Sequence, residues 1–176
     1  NKLIQEGITL TFPVTATDPD GDTLEYTAQG LPLGATFVNR QFQWTPGYDQ
    51  TGVYTVNFTV TDSGGMGDSE RINITVSNIN RPPVMDGIGT QTVAEGATLR
   101  FAVNATDPDG NPLVFSASAL PLGARFDPGI NGNYSFNWIP GYEQSGLYHV
   151  NFTVSDGNLL DYENVTINVI NTNRAP

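Results

Sequence analysis

Asp18-Pro19-Asp20-Gly21-Asp22 places three carboxylates on a segment that Pro and Gly shape into a turn. The pattern returns as Asp107-Pro108-Asp109-Gly110-Asn111, each time after Ala-Thr. Hard oxygen ligands gathered on a tight loop suit calcium better than other common metals. More oxygen donors recur at matched places: Glu6 with Glu95, Asp49 with Glu143, and Asp62 with Asp156. The chain has no cysteine, which excludes disulfides and thiolate metal sites. Its single histidine, His149, stands on an outward strand position with Thr55 as its counterpart. No Ser/His/Asp grouping, phosphate loop or zinc spacing is visible, and Asp18 with Asp20 share one turn where a glycosidase pair would flank a cleft. The sequence is therefore read as non-catalytic.

These loops hang on strands. Ile8, Leu10, Phe12, Val14 and Ala16 alternate with polar residues, as does Tyr54-Val56-Phe58-Val60, and period two means a strand with one buried face. Pro13 marks an edge or a bulge. Phe42 with Trp44 and Phe136 with Trp138 each share one inward strand face, so both tryptophans are read as core. Ile72, Ile74 and Val76 form a last strand before Asn78-Ile79-Asn80-Arg81-Pro82-Pro83, a short stiff linker. The second copy repeats each step, with a longer loop from Asp127 to Asn133. Helical periodicity is absent. The expected fold is all-β: two tandem immunoglobulin-like antiparallel sandwiches, residues 1–81 and 82–176.

A formal charge of -11 with only seven Lys and Arg argues against nucleic acid and anionic membrane surfaces. No apolar run reaches membrane-spanning length. The chain opens inside an expected strand and stops at Asn173-Arg174-Ala175-Pro176, where a linker is expected to continue, so it reads as a piece of a longer array.

Loops of such a sandwich cluster at its two ends. Stacking two repeats head to tail is expected to bring Glu6, Asp49, Asn78 and Asn80 against Asp107, Asp109 and Asp156. Together they offer enough oxygen for at least one calcium, which would relieve carboxylate repulsion and lock the hinge. Asp18, Asp20, Asp22 and Asp62 are then half-sites for a preceding repeat. Glu95 and Glu143, with Asn171 and Asn173, are half-sites for a following one.

Glu6-Gly7, the Ala-Thr-Asp-Pro-Asp-Gly loops, Leu31-Pro32-Leu33-Gly34-Ala35, Trp44-Thr45-Pro46-Gly47-Tyr48-Asp49-Gln50, Asp62 and Asn80-Arg81-Pro82-Pro83 cover nearly the whole chain. In these motifs it resembles cadherin repeats, most closely the dystroglycan-type cadherin-like and Ig repeats of prokaryotic and archaeal surface proteins. The resemblance implies an extracellular, cell-surface, adhesive or spacer module with calcium at inter-repeat joints. Its partners would be neighbouring repeats and possibly another surface protein or a glycan. The chain departs from the cadherin pattern in the linker, where Asn78, Asn80 and Arg81 replace acidic residues, and at Thr51, where an acidic companion of Asp49 is expected. Six glycosylation sequons, at Asn57, Asn73, Asn104, Asn133, Asn151 and Asn164, all point to solvent by alternation. Two other readings stay open: an accessory carbohydrate-binding module of a secreted enzyme, and a plain S-layer-type spacer without functional metal.

Overall fold

The computed structural model describes residues 1–129 and 133–174, so the Asp127–Asn133 loop lies partly outside the described residues. The chain divides into two units, Asn1–Ile79 and Asn80–Pro176. Asn80 and Arg81, placed by the sequence reading with the first repeat, make their bonds to the second.

The first unit holds β1 (Lys2–Gln5), β2 (Leu10–Pro13), β3 (Glu25–Gln29), β4 (Thr36–Val38), β5 (Gln41–Trp44), β6 (Gly52–Thr61) and β7 (Gly67–Ser77). They form two sheets, ordered β1-β7-β6-β3 and β2-β5-β4. The second unit begins with a short strand, β8 (Val84–Met85). Seven strands follow the plan of the first unit: β9 (Gln91–Ala94), β10 (Leu99–Val103), β12 (Val114–Ser118), β13 (Arg125–Pro128), β14 (Tyr134–Trp138), β15 (Gly146–Ser155) and β16 (Leu160–Ile170), with the short β11 (Ala105–Thr106) between β10 and β12. Its main sheets are ordered β9-β16-β15-β12 and β10-β14-β13, with β8 paired to β11.

All pairings are antiparallel except β1 with β7 and β9 with β16, which run parallel. The cause is local. After β1 the chain turns at Glu6-Gly7, with Gly7 at φ +72°, and crosses to the other sheet. Its first strand thus lies along the last one without a hairpin between them. Pro13 ends β2, an edge strand, where its missing N–H costs no ladder bond.

Alternation places the core. Trp44 and Trp138 are buried, each with a tyrosine edge-on at ring distances of 4.8 and 4.9 Å. Their indole N–H groups donate to the carbonyls of Leu33 and Leu122, at 3.1 and 3.2 Å. Gln50 and Gln144 amides reach the same two carbonyls, which is why Leu-Pro-Leu-Gly and Trp…Gln recur together. Phe12 stacks on Phe42, and Phe101 on Phe136, each at 4.9 Å.

Candidate functional site

Each acidic loop is built by its first aspartate. Asp18 Oδ1 accepts the N–H groups of Asp20 and Asp22 at 2.8 and 3.0 Å, and Asp107 Oδ1 does the same for Asp109 and Asn111. Gly21 and Gly110 take positive φ, +81° and +74°, to close the turn. The neighbouring hairpin turn is fixed the same way. Asp62 Oδ1 accepts Met66 N–H at 2.8 Å, and Asp156 Oδ1 accepts the N–H groups of Asn158 and Leu159 at 2.6 Å each.

In the second unit this loop holds an arginine. Arg81 Nε and Nη2 donate to Asp109 Oδ1 at 2.9 and 2.7 Å, and its backbone N–H donates to Oδ2 at 2.6 Å. Nη2 also reaches the Pro108 carbonyl at 2.7 Å. Beside it, the Asn80 amide donates to Asp156 Oδ2 at 2.8 Å and accepts from Asn111 Nδ2 at 2.6 Å. The Asp109 side chain is only 6% exposed, so a charged partner is needed there. The Arg81 side chain and backbone bonds hold its carboxyl below the usual aspartate range, against burial and the nearby Asp156 charge. Asp156 is lowered too, first by the Leu159 N–H and then by Asn80 and Asn158.

At the other end of each unit stands a buried glutamate. Glu6, 0% exposed, accepts Thr51 Oγ1–H at 2.8 Å on Oε1 and Ile79 N–H at 3.0 Å on Oε2. Glu95 Oε2 accepts Thr172 N–H at 2.9 Å, while its buried Oε1 has no partner. Glu6 and Glu95 therefore pin the start of the segment leaving their own unit. The glycine after each lies under a tyrosine: a Cβ on Gly7 would meet the Tyr48 hydroxyl at 3.2 Å, and one on Gly96 the Tyr142 hydroxyl at 2.8 Å. Asp49 and Asn78 are exposed, as are Asn171 and Asn173. Glu143 pairs with Arg174 at 3.4 Å on the surface.

A calcium ion needs six to eight oxygens. In the second unit Arg81 already holds both oxygens of Asp109, and Asn80 with two backbone N–H groups holds those of Asp156. Of the oxygens of Asp107, Asp109 and Asp156, Asp107 Oδ2 is the one buried without a hydrogen-bond partner. Among the described residues no three of His, Asp and Glu stand close enough together to hold a metal ion. The second unit's acidic residues, as arranged, fit a guanidinium and not a calcium ion. The sequence signal for this was Arg81 itself, a base in a chain poor in bases. In the sequence it stands out only as a departure from the acidic linker of cadherin repeats.

The sequons divide. Asn73, Asn133 and Asn164 are exposed, as alternation predicts. Asn57, Asn104 and Asn151 are half-buried, and the side-chain oxygens of Asn104 and Asn151 are buried without partners. Asn104 sits at the break between β10 and β11, and Asn151 in a strand flanked on both sides, so neighbouring side chains cover positions that face away from the core.

The fold and its loops define a pair of immunoglobulin-like β-sandwiches. Residues 80–169 match the family model described as Bacterial Ig domain, and residues 1–77 the one described as Putative Ig domain. The chain belongs to the bacterial Ig domain family. It is 31% identical over 120 residues to Chitinase A of Pseudoalteromonas piscicida, covering 65% of this chain and 14% of that protein. It thus spans about a seventh of the curated relative it matches. Among solved structures it is similar to the extracellular cadherin domains 1–5 of Protocadherin Gamma B2, with a TM-score of 0.67 at 14% identity, over 97% of this chain and 37% of that one. Protocadherin gammaB7 domains EC3-6 give 0.58 at 18% identity, over 97% and 45%. These likenesses show the fold.

Proposed function

We propose that this chain is a non-catalytic spacer segment of a secreted or surface-displayed protein. The observation that carries the reading is where the repeated polar residues go. Glu6, Glu95, Asn80 and Arg81 are all spent on fastening the segments that leave or enter a unit, and none opens onto a reaction cleft. No helix among the described residues is long and apolar enough to cross a membrane. Calcium at the joint, expected from the sequence, would require Arg81 to give up Asp109 first. Arginine is therefore the better resident cation of the second unit's acidic loops, where Asp107 Oδ2 is the one buried carboxylate oxygen left without a partner.

The match to a chitinase favours a second reading, an accessory module that binds polysaccharide beside a catalytic domain. Against it, both tryptophans are buried, and of the exposed tyrosines Tyr48, Tyr142 and Tyr162 the first two lie over glycines of their own unit. Cosedimentation with insoluble chitin and cellulose tests the two. The spacer reading expects the chain to stay in the supernatant. Saturable retention, abolished by Tyr48→Ala/Tyr142→Ala, would replace that reading with the accessory one.

A further inference from the structure

The long sheet of each unit turns one face to its core and the other outward. On the second unit's outward face, no position of β9, β12, β15 or β16 carries Asp, Glu, Lys or Arg, although the formal charge of the chain is -11. The acidic residues of β16, Asp161 and Glu163, point the other way and hold the N–H groups of Met85 and Ile88. At one end of the face Val114, Ser155 and Leu160 lie side by side on three neighbouring strands. Tyr162 stands one row further along, opposite Thr153. Val114, Leu160 and Tyr162 are 66%, 57% and 59% exposed.

The first unit shows that the fold asks for none of this. In the same register it has Glu25 for Val114, Gly67 for Leu160, Ser69 for Tyr162 and Arg71 for Asn164. Each exchange removes a charge or adds apolar surface, and all four fall in one corner of one sheet. None of the eight side chains belongs to either core. Single exposed apolar residues mean little, but a contiguous group of them marks a contact surface.

We propose that this face docks a second copy of the chain, sheet against sheet, about a two-fold axis lying over β15. Charge favours a copy here. Two chains that each carry -11 repel wherever their acidic surfaces meet, and this face sets no carboxylate against another. Symmetry favours it too, because an isologous contact needs a self-complementary patch. Val114 and Leu160 flank β15 at equal spacing, so Val114 of one copy covers Leu160 of the other, and Tyr162 lies over Ser116. Three strands about 4.8 Å apart and about ten residues long present roughly 500 Å² per copy. A pair buries about 1,000 Å², the low end for a specific contact, so the dimer is weak and reversible.

Sedimentation equilibrium of the intact chain tests this, with an expected dissociation constant on the order of 100 µM within a range of about 10 µM to 1 mM. Raising salt from about 0.05 to 0.5 M should tighten the pair, since it screens the repulsion between the two net charges. Val114→Glu/Leu160→Gly/Tyr162→Ser writes the first unit's residues into the second and should weaken the pair at least about tenfold. Asn164→Arg, a single outward exchange, should weaken it as well, and it decides the matter should the triple variant not fold by its urea midpoint. Val53→Glu, at an exposed apolar position on the first unit's long sheet, should change nothing. A chain still monomeric at the highest concentration, or a dimer indifferent to both second-unit variants, overturns the proposal. So does a monomer retained on insoluble chitin through Leu160 and Tyr162, which would give the face to a polysaccharide instead.

Discussion

Replacing Glu6 with alanine removes the fastening at the far end of the first unit, and its cost can be worked from the contacts. Ile79 N–H is half-buried and loses a charged acceptor, which costs about 1–3 kcal/mol. The Thr51 hydroxyl loses the same carboxylate but can turn to water, so about 1 kcal/mol is at stake. The side chain is fully buried, and alanine keeps its β-carbon, so one buried methylene is lost, about 0.8 kcal/mol. Glu6→Ala is therefore expected to cost about 4 kcal/mol, a fall of roughly 16–32 °C for a unit of this size. The assay is urea unfolding followed by Trp44 fluorescence, with Trp138→Phe silencing the second unit. Thr51→Ala should cost about 1 kcal/mol alone and almost nothing once Glu6 is gone. A Glu6→Ala cost below about 1 kcal/mol, or equal Thr51→Ala costs in both backgrounds, would refute this reasoning.

The second unit offers a converse prediction. Glu95 Oε1 lacks the bond that Thr51 gives Glu6, because Ser145 stands in that place and does not donate to it. Ser145→Thr, whose branched side chain fixes the hydroxyl direction, should stabilise this unit by about 1 kcal/mol in the same urea assay. Gly30 sits at φ +74° with the Thr55 carbonyl 2.8 Å from where a Cβ would go. Gly30→Ala should cost about 1–2 kcal/mol, read as a lower midpoint for the first unit, the matching Ala119 holding the same left-handed conformation at φ +58°. Acid titration tests the arginine clasp. Asp109 and Asp156 are lowered from the ordinary 3.8, so the stability they give is complete above that value and is lost as pH falls through the lower folded values. The gap in melting temperature between the native chain and Arg81→Gln should therefore be flat from pH 5 to 7 and close below about pH 3.8.

The strands were legible because alternation is a local signal. Tyr54, Val56, Phe58 and Val60 fall on β6, and Trp44 lands in the core, as the pattern required. The parallel β1–β7 pair was not legible. Lys2–Gln5 has too few apolar residues to show a face, and which strand it joins is decided by a crossover with no sequence mark of its own. The acidic loops were found by composition, but their occupant was not. Asp and Gly announce a turn equally well whether the loop receives a metal or a guanidinium, and only the Arg81–Asp109 geometry distinguishes them. Asn104 and Asn151 failed for a related reason. Alternation says which side of a sheet a residue faces, not what covers that side.

Thermal unfolding of the intact chain in EDTA, then in millimolar calcium at matched ionic strength, beside Arg81→Gln, tests the central claim most directly. If Arg81 is the resident cation, calcium leaves the native melting curve unmoved, and Arg81→Gln lowers the second unit's midpoint by roughly 5–15 °C. A calcium-selective rise in the native chain, lost in Asp107→Ala/Asp109→Ala, would show that a metal displaces the arginine and would contradict the account.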